Sequence, residues 1–234
     1  MLNYLCKLFG SCPTVKAHIM FVGFSGGSTT LYNTIFECFK NPSYAQFNKN
    51  KSDDKLTTGF FLQPNVSIIG AVVVSMTFDY ADTIRTSESS MFGRMLSRVI
   101  CYKYRQYLVD CAHVHHLMNR EVVDNSLKCK YLSEYDSTAY PIFGYQSARE
   151  FEERYSSFGI DEVRIPWLAI QPADDLGQSS DLCIDFYTKD KRVIYMIPSH
   201  GNHLGFFESD SQRSDTYVPR VAALFGNVIL ELDN

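Results

Sequence analysis

A serine flanked by glycines is the residue of this chain whose surroundings most clearly predict chemistry. Gly23-Phe24-Ser25-Gly26-Gly27 follows an apolar stretch, 18–21, and leads into a segment with a helical pattern. A G-x-S-x-G sequence between a strand and a helix predicts a tight turn that exposes the serine hydroxyl. Gly23 and Gly27 are expected to let the strand end and the helix start approach without an intervening Cβ. The Gly26 N–H, at the helix start, would stabilise negative charge developing beside Ser25.

Acidic residues and histidines follow two later strand-like runs. Asp174 and Asp175 come directly after one run, and His200 and His203 come after the next. Because open parallel sheets build their sites at the carboxyl ends of strands, these loops are expected to meet Ser25. A serine hydroxyl needs a base to accept its proton, and an aspartate orients that base. The sequence therefore predicts a hydrolytic triad, in which Asp175 is favoured as the acid and Asp174 as a support or cap.

The elements that would position these residues alternate between strands and helices. The run 66–76 is almost continuously β-branched, as is typical of a parallel strand buried on both faces. The segment 79–160 has mostly helical patterns, with Phe92, Met95, Leu96, Val99 and Ile100 at helical spacing over 91–109. The alternation predicts an α/β fold with a parallel sheet flanked by helices. The four predicted strands span residues 16–24, 66–76, 165–171 and 193–197, and further helices span 28–40 and 217–232.

The last predicted helix has its own sequence signals. Pro219 lies near its first turn, where a proline is tolerated. Its apolar residues fall on one face, and we expect that face to be buried: Val218, Val221, Leu224, Phe225, Val228 and Ile229. We find no internal repeat and no linker. The chain is therefore predicted to be one domain over 1–234, with 79–160 as a helical, cap-like insertion and the polar segment 41–58 as a surface insertion.

Composition excludes several functional classes. The chain has 234 residues, 45% of them apolar, and a formal net charge of −4. Without a basic stripe, nothing predicts a nucleic-acid partner. The seven cysteines are an odd number and form no C-x-x-C pair, which favours free thiols in a reducing compartment. No signal-peptide pattern opens the chain, so we expect a cytoplasmic or membrane-associated protein rather than a secreted one.

A second cluster has residue types that bind metals. Cys111, His113, His115 and His116 are spaced so that two ligands could share one helix face. Histidines on a solvated helix face have the same appearance without any metal. We therefore predict no metal site and no cofactor, and keep zinc here as an alternative hypothesis.

Taken together, three motifs resemble a known superfamily. The motifs are GFSGG at 23–27, Ile165-Pro166-Trp167-Leu168 leading to Ala-Asp-Asp at 173–175, and HGNHLGFFE at 200–208. They resemble the α/β-hydrolase superfamily, and within it the AB-hydrolase type-4 family of abhydrolase-domain lipases and esterases. In that family the second histidine of the motif is the base, so the resemblance implies a triad of Ser25, Asp175 and His203. It also implies a lipid-like ester substrate, an acylglycerol or phospholipid, and membrane association.

The chain departs from the family pattern in ways that affect its expected activity. Leu176 stands where the family has a proline, and Ser28 stands where it has a third glycine. Family members have a longer segment before the serine turn, so we expect a partial domain: the later strands of the sheet plus a helical cap. The strand before Ser25 would then be an edge, and a second oxyanion donor would be missing.

Two functions follow from these expectations. The first is an ester hydrolase whose acyl pocket is lined by the 79–160 region, with Phe78, Phe92 and Tyr104 as candidate lining residues. The second is an incomplete hydrolase fold that binds a partner chain through the open strand edge. Labelling of Ser25 by a serine-directed probe would discriminate between them.

Overall fold

The structure is a computed structural model that describes residues 16–40, 60–63, 66–112, 117–156, 165–175, 192–207 and 216–233. The chain packs as two compact units. The first, called the sheet unit, comprises 1–76, 159–175 and 180–234, and the second, called the helical unit, comprises 77–158 and 176–179. The predicted surface insertion 41–58 and the histidines at 113–116 lie outside the described residues.

The sheet has five strands in the described part of the chain. They are β1 (Ala17–Phe24), β2 (Phe60–Gln63), β3 (Val66–Val74), β4 (Trp167–Ile170) and β5 (Val193–Met196). The order is β1-β3-β4-β5, with every pair parallel, and β2 pairs antiparallel with the start of β3. The four predicted strands and their parallel arrangement are confirmed. The short β2 was missed, since its only sequence signal is the apolar triplet Phe-Phe-Leu.

Seven α-helices accompany these strands in the described residues. They are α1 (Gly26–Lys40), α2 (Tyr80–Ser89), α3 (Met91–Asp110), α4 (Arg120–Ser126), α5 (Leu132–Ala139), α6 (Ala148–Tyr155) and α7 (Val218–Asp233). A 3₁₀ turn, Tyr140–Phe143, follows α5 directly. The predicted helices 28–40, 91–109 and 217–232 are therefore confirmed, with α1 beginning two residues earlier than predicted. None of the described helices is long and apolar enough to span a bilayer.

The core of the sheet unit lies between β3, β4 and α7. Every residue of β3 is buried, as its unbroken β-branched sequence predicts. Phe225 and Ile229 of α7 pack on Val72 and Leu168 in one apolar cluster. The predicted buried face of α7 is wrong at two positions, Leu224 and Val228, whose side chains are exposed. Ala222 is buried instead, because the contact face is centred on the 218, 222, 225 and 229 positions.

The helical unit is organised by capped helices around aromatic side chains. Asp79, Ser90, Asn119 and Ser147 each cap a helix by accepting a backbone N–H bond in its first turn. Inside the unit, aromatic rings contact one another at centroid distances of 4.5–5.9 Å, among them Tyr80, Tyr104, Tyr135, Phe151 and Tyr155. The ring contacts join α2 to α6 and α3 to α5.

Helix α3 buries a different face from the one its apolar pattern suggests. Gly93, Ser97, Cys101 and Leu108 are the buried residues, whereas most of the large apolar side chains are exposed. A Cβ at Gly93 would overlap the Ser87 carbonyl, so the close approach of α2 and α3 requires a glycine there. Ser97 donates a hydrogen bond to Glu88 at 2.6 Å and accepts one from the Leu132 N–H at 2.8 Å. Small and polar residues therefore face inward on α3.

Candidate active site

Ser25 lies at a strained turn between β1 and α1. Its φ angle of 50° is in the left-handed region, and its N–H donates to the Val74 carbonyl of β3 at 2.8 Å. A Cβ at Gly23 would lie 2.7 Å from the Ser28 Cα, so this position requires a glycine. The same expectation is wrong for Gly27, where a Cβ would meet nothing within 4 Å. Of these two glycines, only Gly23 lies where the strand and the helix approach closely.

His203 connects Ser25 to a buried carboxylate. With the ring proton on Nδ1, His203 donates to Asp175 Oδ2 at 2.9 Å and accepts the Ser25 hydroxyl proton at Nε2, where the two atoms are 2.7 Å apart. The side chain of Asp175 is 1% exposed and that of His203 is 40% exposed. The imidazole is thus open to a ligand while its orienting carboxylate is shielded from water.

Asp174 and His200, the alternatives for acid and base, lie elsewhere in the same loops. Asp174 Oδ1 accepts the Asn202 N–H at 2.7 Å, which ties the two loops together through the backbone. The His200 ring is exposed and stands 3.8 Å from Asp174. Burial and the adjacent Asp174 carboxylate both raise the pKa of Tyr217. Asp174 therefore supports the histidine turn, and His200 has no contact with Ser25 among the described bonds.

Three further residues hold the site, and the sequence analysis missed them. Gln171, at the end of β4, is buried, and its Nε2 donates to Asp175 Oδ2 at 3.3 Å. The hydroxyl of Ser75, at the end of β3, donates to the His203 carbonyl. Asn202 has a φ of 47°, and its Oδ1 accepts the His203 N–H at 2.9 Å. A polar residue directly after a buried strand was the available signal for Gln171 and Ser75.

The start of α1 offers backbone donors beside Ser25. The helix begins at Gly26, and the first N–H groups of a helix have no acceptor within it. They carry the positive end of the helix dipole, which attracts negative charge. A carbonyl oxygen that becomes negative on attack by Ser25 could accept a hydrogen bond from the Gly26 N–H.

The described residues contain no group of three or more His, Cys, Asp or Glu side chains that could hold a metal ion. Cys111 is exposed, and the histidines proposed with it fall in 113–116, beyond the described ranges. Cys101 and Cys129 are buried free thiols, and burial raises the pKa of Cys101 to about 11. A raised pKa keeps that thiol protonated and unreactive near neutral pH.

Comparison with known proteins gives partial relatives. No protein-family model matches the chain. It is 28% identical over 137 residues to human phospholipase ABHD3, which covers 55% of this chain and 34% of the relative. It is 30% identical over 97 residues to a monoacylglycerol lipase of Saccharomyces cerevisiae, covering 40% of this chain and 22% of the relative. A solved esterase from Thermogutta terrifontis aligns with a TM-score of 0.41 at 12% identity, over 100% of this chain and 71% of that one.

The parallel sheet and its flanking helices give the chain a fold of the α/β-hydrolase type. Its sequence is similar to those of a phospholipase and a monoacylglycerol lipase, in line with the resemblance of its motifs. It spans about a third of the length of the first curated relative that it matches.

Proposed function

We propose that this chain is a serine hydrolase that cleaves carboxylic esters through Ser25, His203 and Asp175. The observation that supports this most strongly is the unbroken hydrogen-bond chain from the Ser25 hydroxyl through both ring nitrogens of His203 to Asp175. Such a chain is the arrangement that turns a weakly nucleophilic hydroxyl into an attacking group.

In the proposed reaction Ser25 Oγ attacks the ester carbonyl carbon while its proton passes to His203 Nε2. The carbonyl oxygen becomes an oxyanion and accepts a hydrogen bond from the Gly26 N–H. The carbon–oxygen bond to the alcohol then breaks, and His203 returns the proton to the departing alcohol oxygen. Water, deprotonated by the same ring nitrogen, attacks the acyl-enzyme and releases the carboxylic acid, which regenerates the Ser25 hydroxyl.

Asp175 acts on the orientation and charge of the base. Its Oδ2 fixes the Nδ1–H tautomer of His203 and stabilises the imidazolium that forms during attack. Gln171 donates to the same oxygen, and its Oε1 is buried with no partner among the described residues. The amide of Gln171 thus bonds the carboxylate through its nitrogen and supports the position of Asp175 beside His203.

The proposed substrates are lipid-like esters. Two relatives of the chain are named a phospholipase and a monoacylglycerol lipase. Of the aromatic residues considered for an acyl pocket, Phe78 is buried and the side chains of Phe92 and Tyr104 are exposed. The proposal includes a cap-like role for 79–160. The acyl chain length that the site accepts is to be measured with the esters below.

The test is turnover of 4-nitrophenyl esters of increasing acyl length, followed by a monoacylglycerol. We expect hydrolysis by the chain and its loss in Ser25→Ala and His203→Ala. The matched control is His200→Ala, which removes an exposed imidazole three residues away and should retain activity. A folded chain with no turnover of any of these esters would refute the proposal.

A second candidate is a binding role for the outer strand. Within the described residues β1 pairs on one side only, and Val22 and Phe24 of this strand are exposed. An apolar strand edge of this kind can add a strand from another chain. Sedimentation of the purified chain tests this: a partner-dependent or self-associated species that Val22→Lys dissolves, without ester turnover, would favour this role over hydrolysis.

A further inference from the structure

Helix α3 of the helical unit presents an apolar face to solvent. Five large side chains on this face are between 52% and 90% exposed: Met91, Phe92, Met95, Val99 and Tyr102. Their spacing of one, three and four residues places them on one side of the helix, opposite the buried Gly93, Ser97 and Cys101. An isolated exposed apolar residue is ordinary, but a contiguous helical stripe of them marks an interaction surface.

One edge of this stripe is basic. Arg94 and Arg98 line an open groove of about 820 Å³ together with apolar and tyrosine side chains: Met91, Met95, Val99, Tyr102 and Tyr131. The guanidinium carbon of Arg94 lies 5.1 Å and that of Arg98 5.9 Å from the centre of the Tyr131 ring. No carboxylate forms an ion pair with either arginine in the described part of the chain. Both cations therefore lie against an aromatic ring, with no ion-pair partner among the described residues.

The balance of charge on α3 is opposite to that of the chain. The helix contains a single acidic residue, Asp110, and four basic ones: Arg94, Arg98, Lys103 and Arg105, of which Arg105 is half-buried and donates to the Cys129 carbonyl. The whole chain has a net charge of −4. A helix with an apolar face and a basic edge is suited to the boundary between lipid headgroups and acyl chains, because its apolar side chains enter the bilayer while its cations meet phosphates.

We propose that α3 binds the surface of an anionic phospholipid bilayer. Met91, Met95 and Val99 insert at the acyl boundary, and Arg94 and Arg98 contact headgroup phosphates from the groove. A second copy of the chain is a poorer occupant, because the cores of protein interfaces are depleted of charged residues and two copies of this edge would repel each other. The proposal concerns binding and does not depend on Ser25 or on ester hydrolysis.

The experiment is co-flotation of the full 234-residue chain with two kinds of vesicle. One kind contains phosphatidylcholine alone, and the other also contains about 30 mol% phosphatidylserine, which makes its surface strongly anionic. We expect flotation with the anionic vesicles, with less binding at about 0.5 M salt because screening weakens headgroup attraction. Arg94→Glu/Arg98→Glu should lower the partition coefficient about ten-fold or more. Met95→Ser/Val99→Ser should lower it at both salt concentrations.

Matched variants separate this surface from general stickiness. Leu224→Ser/Val228→Ser removes two exposed apolar side chains from α7, and Arg120→Glu/Arg149→Glu reverses two exposed cations on α4 and α6. Both controls should float like the unmodified chain, as should Ser25→Ala. The proposal is overturned if anionic vesicles do not bind the folded chain, if the α3 variants float as well as the controls, or if Met95→Ser/Val99→Ser instead dissolves a dimer seen by sedimentation.

Discussion

Backbone strain is distributed unequally between the two units. In the described residues, the three non-glycine residues with positive φ are Ser25, Ser75 and Asn202, and all lie in the sheet unit. In the helical unit the positive φ falls on a glycine, Gly144, at the end of the 3₁₀ turn. A left-handed backbone conformation costs a residue with a Cβ atom about 1–2 kcal/mol, whereas glycine adopts it freely.

Each strained residue of the sheet unit is held by its own N–H. Ser25 donates to the Val74 carbonyl at 2.8 Å, and Ser75 donates to the Ile170 carbonyl at 2.9 Å. Asn202 donates to Asp174 at 2.7 Å. All three residues are Ser25 itself or a hydrogen-bond partner of His203. Strain of this kind persists where surrounding structure fixes it, and it concentrates at functional sites.

The buried carboxyl groups of the two units also differ, in the partners that they bond. Asp175 of the sheet unit accepts bonds from His203 and Gln171. Asp136 of the helical unit accepts a bond from the Tyr80 hydroxyl at 2.8 Å, and burial raises its pKa to about 7, with Glu152 and Glu88 adding repulsion. One carboxyl is bonded to an imidazole and an amide, and the other is bonded to a tyrosine hydroxyl beside aromatic rings.

The largest expected effect is on the rate of ester hydrolysis by Asp175→Asn. The amide should favour the wrong histidine tautomer and lower kcat by about 10⁴-fold, the loss known for such a change in a serine triad. Steady-state hydrolysis of a 4-nitrophenyl ester measures it. The matched variant Asp174→Asn weakens the bond to the Asn202 N–H and removes the charge beside His200, and we expect a loss of about ten-fold or less. Equal losses in the two variants would remove the distinction between the two aspartates.

The next largest effect is on stability, from Asp136→Asn. Since the folded pKa of Asp136 is raised above that of an unfolded carboxyl, the folded state binds more protons between about pH 4 and 7. The free energy of unfolding should therefore fall as pH rises through this range, by up to about 1.4 kcal/mol per pH unit from this group. Asp136→Asn should flatten that fall and be the more stable form at pH 8.

Urea titrations of both proteins at pH 4.5, 6 and 8 measure this difference. The control is Asp124→Asn, which alters an exposed carboxyl of α4 and should leave the pH dependence unchanged. If Asp136→Asn keeps the slope of the parent, Asp136 is not the group responsible for it.

A smaller effect is expected from Gly144→Ala. The φ of 84° becomes strained with any side chain, although a Cβ would meet no atom within 4 Å, so the cost is conformational alone. We expect the free energy of unfolding to drop by about 1–2 kcal/mol. The ester-hydrolysis rate should not change. A variant as stable as the parent would contradict the assignment of this φ.

The smallest effect on stability is expected from Asn202→Gly. Glycine relieves the left-handed strain but removes the oxygen that accepts the His203 N–H at 2.9 Å. These opposite changes should leave the free energy of unfolding within about 1 kcal/mol of the parent. Because the histidine turn loses a constraint, kcat should fall while the melting temperature stays nearly constant. A large loss of stability with full activity would mean that this strained residue of the sheet unit serves stability and not the site.

The sequence was most informative where local pattern and long-range geometry agree. The run 66–76 contains almost only β-branched and small residues, and the structure buries all of it, with Val66–Val74 as β3. Parallel strands end at the same edge of a sheet. The serine turn after Gly23 and the polar residues after the later strands were therefore predicted to lie together at that edge. The fold class and the positions of Ser25, Asp175 and His203 in their loops followed from that reasoning.

Other features depended on contacts that no local pattern encodes. The inward face of α3 is set by Gly93 against Ser87 and by the bonds of Ser97, so its apolar side chains remain outside. Periodicity identifies a helix but not which neighbour it meets. Gln171 and Ser75 each follow a buried strand, but that position does not reveal their bonding partners, which lie 4 and 128 residues away in the chain.

The central claim is that His203 activates Ser25, and labelling with a fluorophosphonate probe tests it most directly. The probe reacts with an activated serine, and mass spectrometry of the digested protein identifies the peptide that carries the label. The account predicts label on Ser25 in the unmodified chain and in His200→Ala, and none in Ser25→Ala or His203→Ala. A folded chain that takes no label, or a label that survives Ser25→Ala, would contradict it.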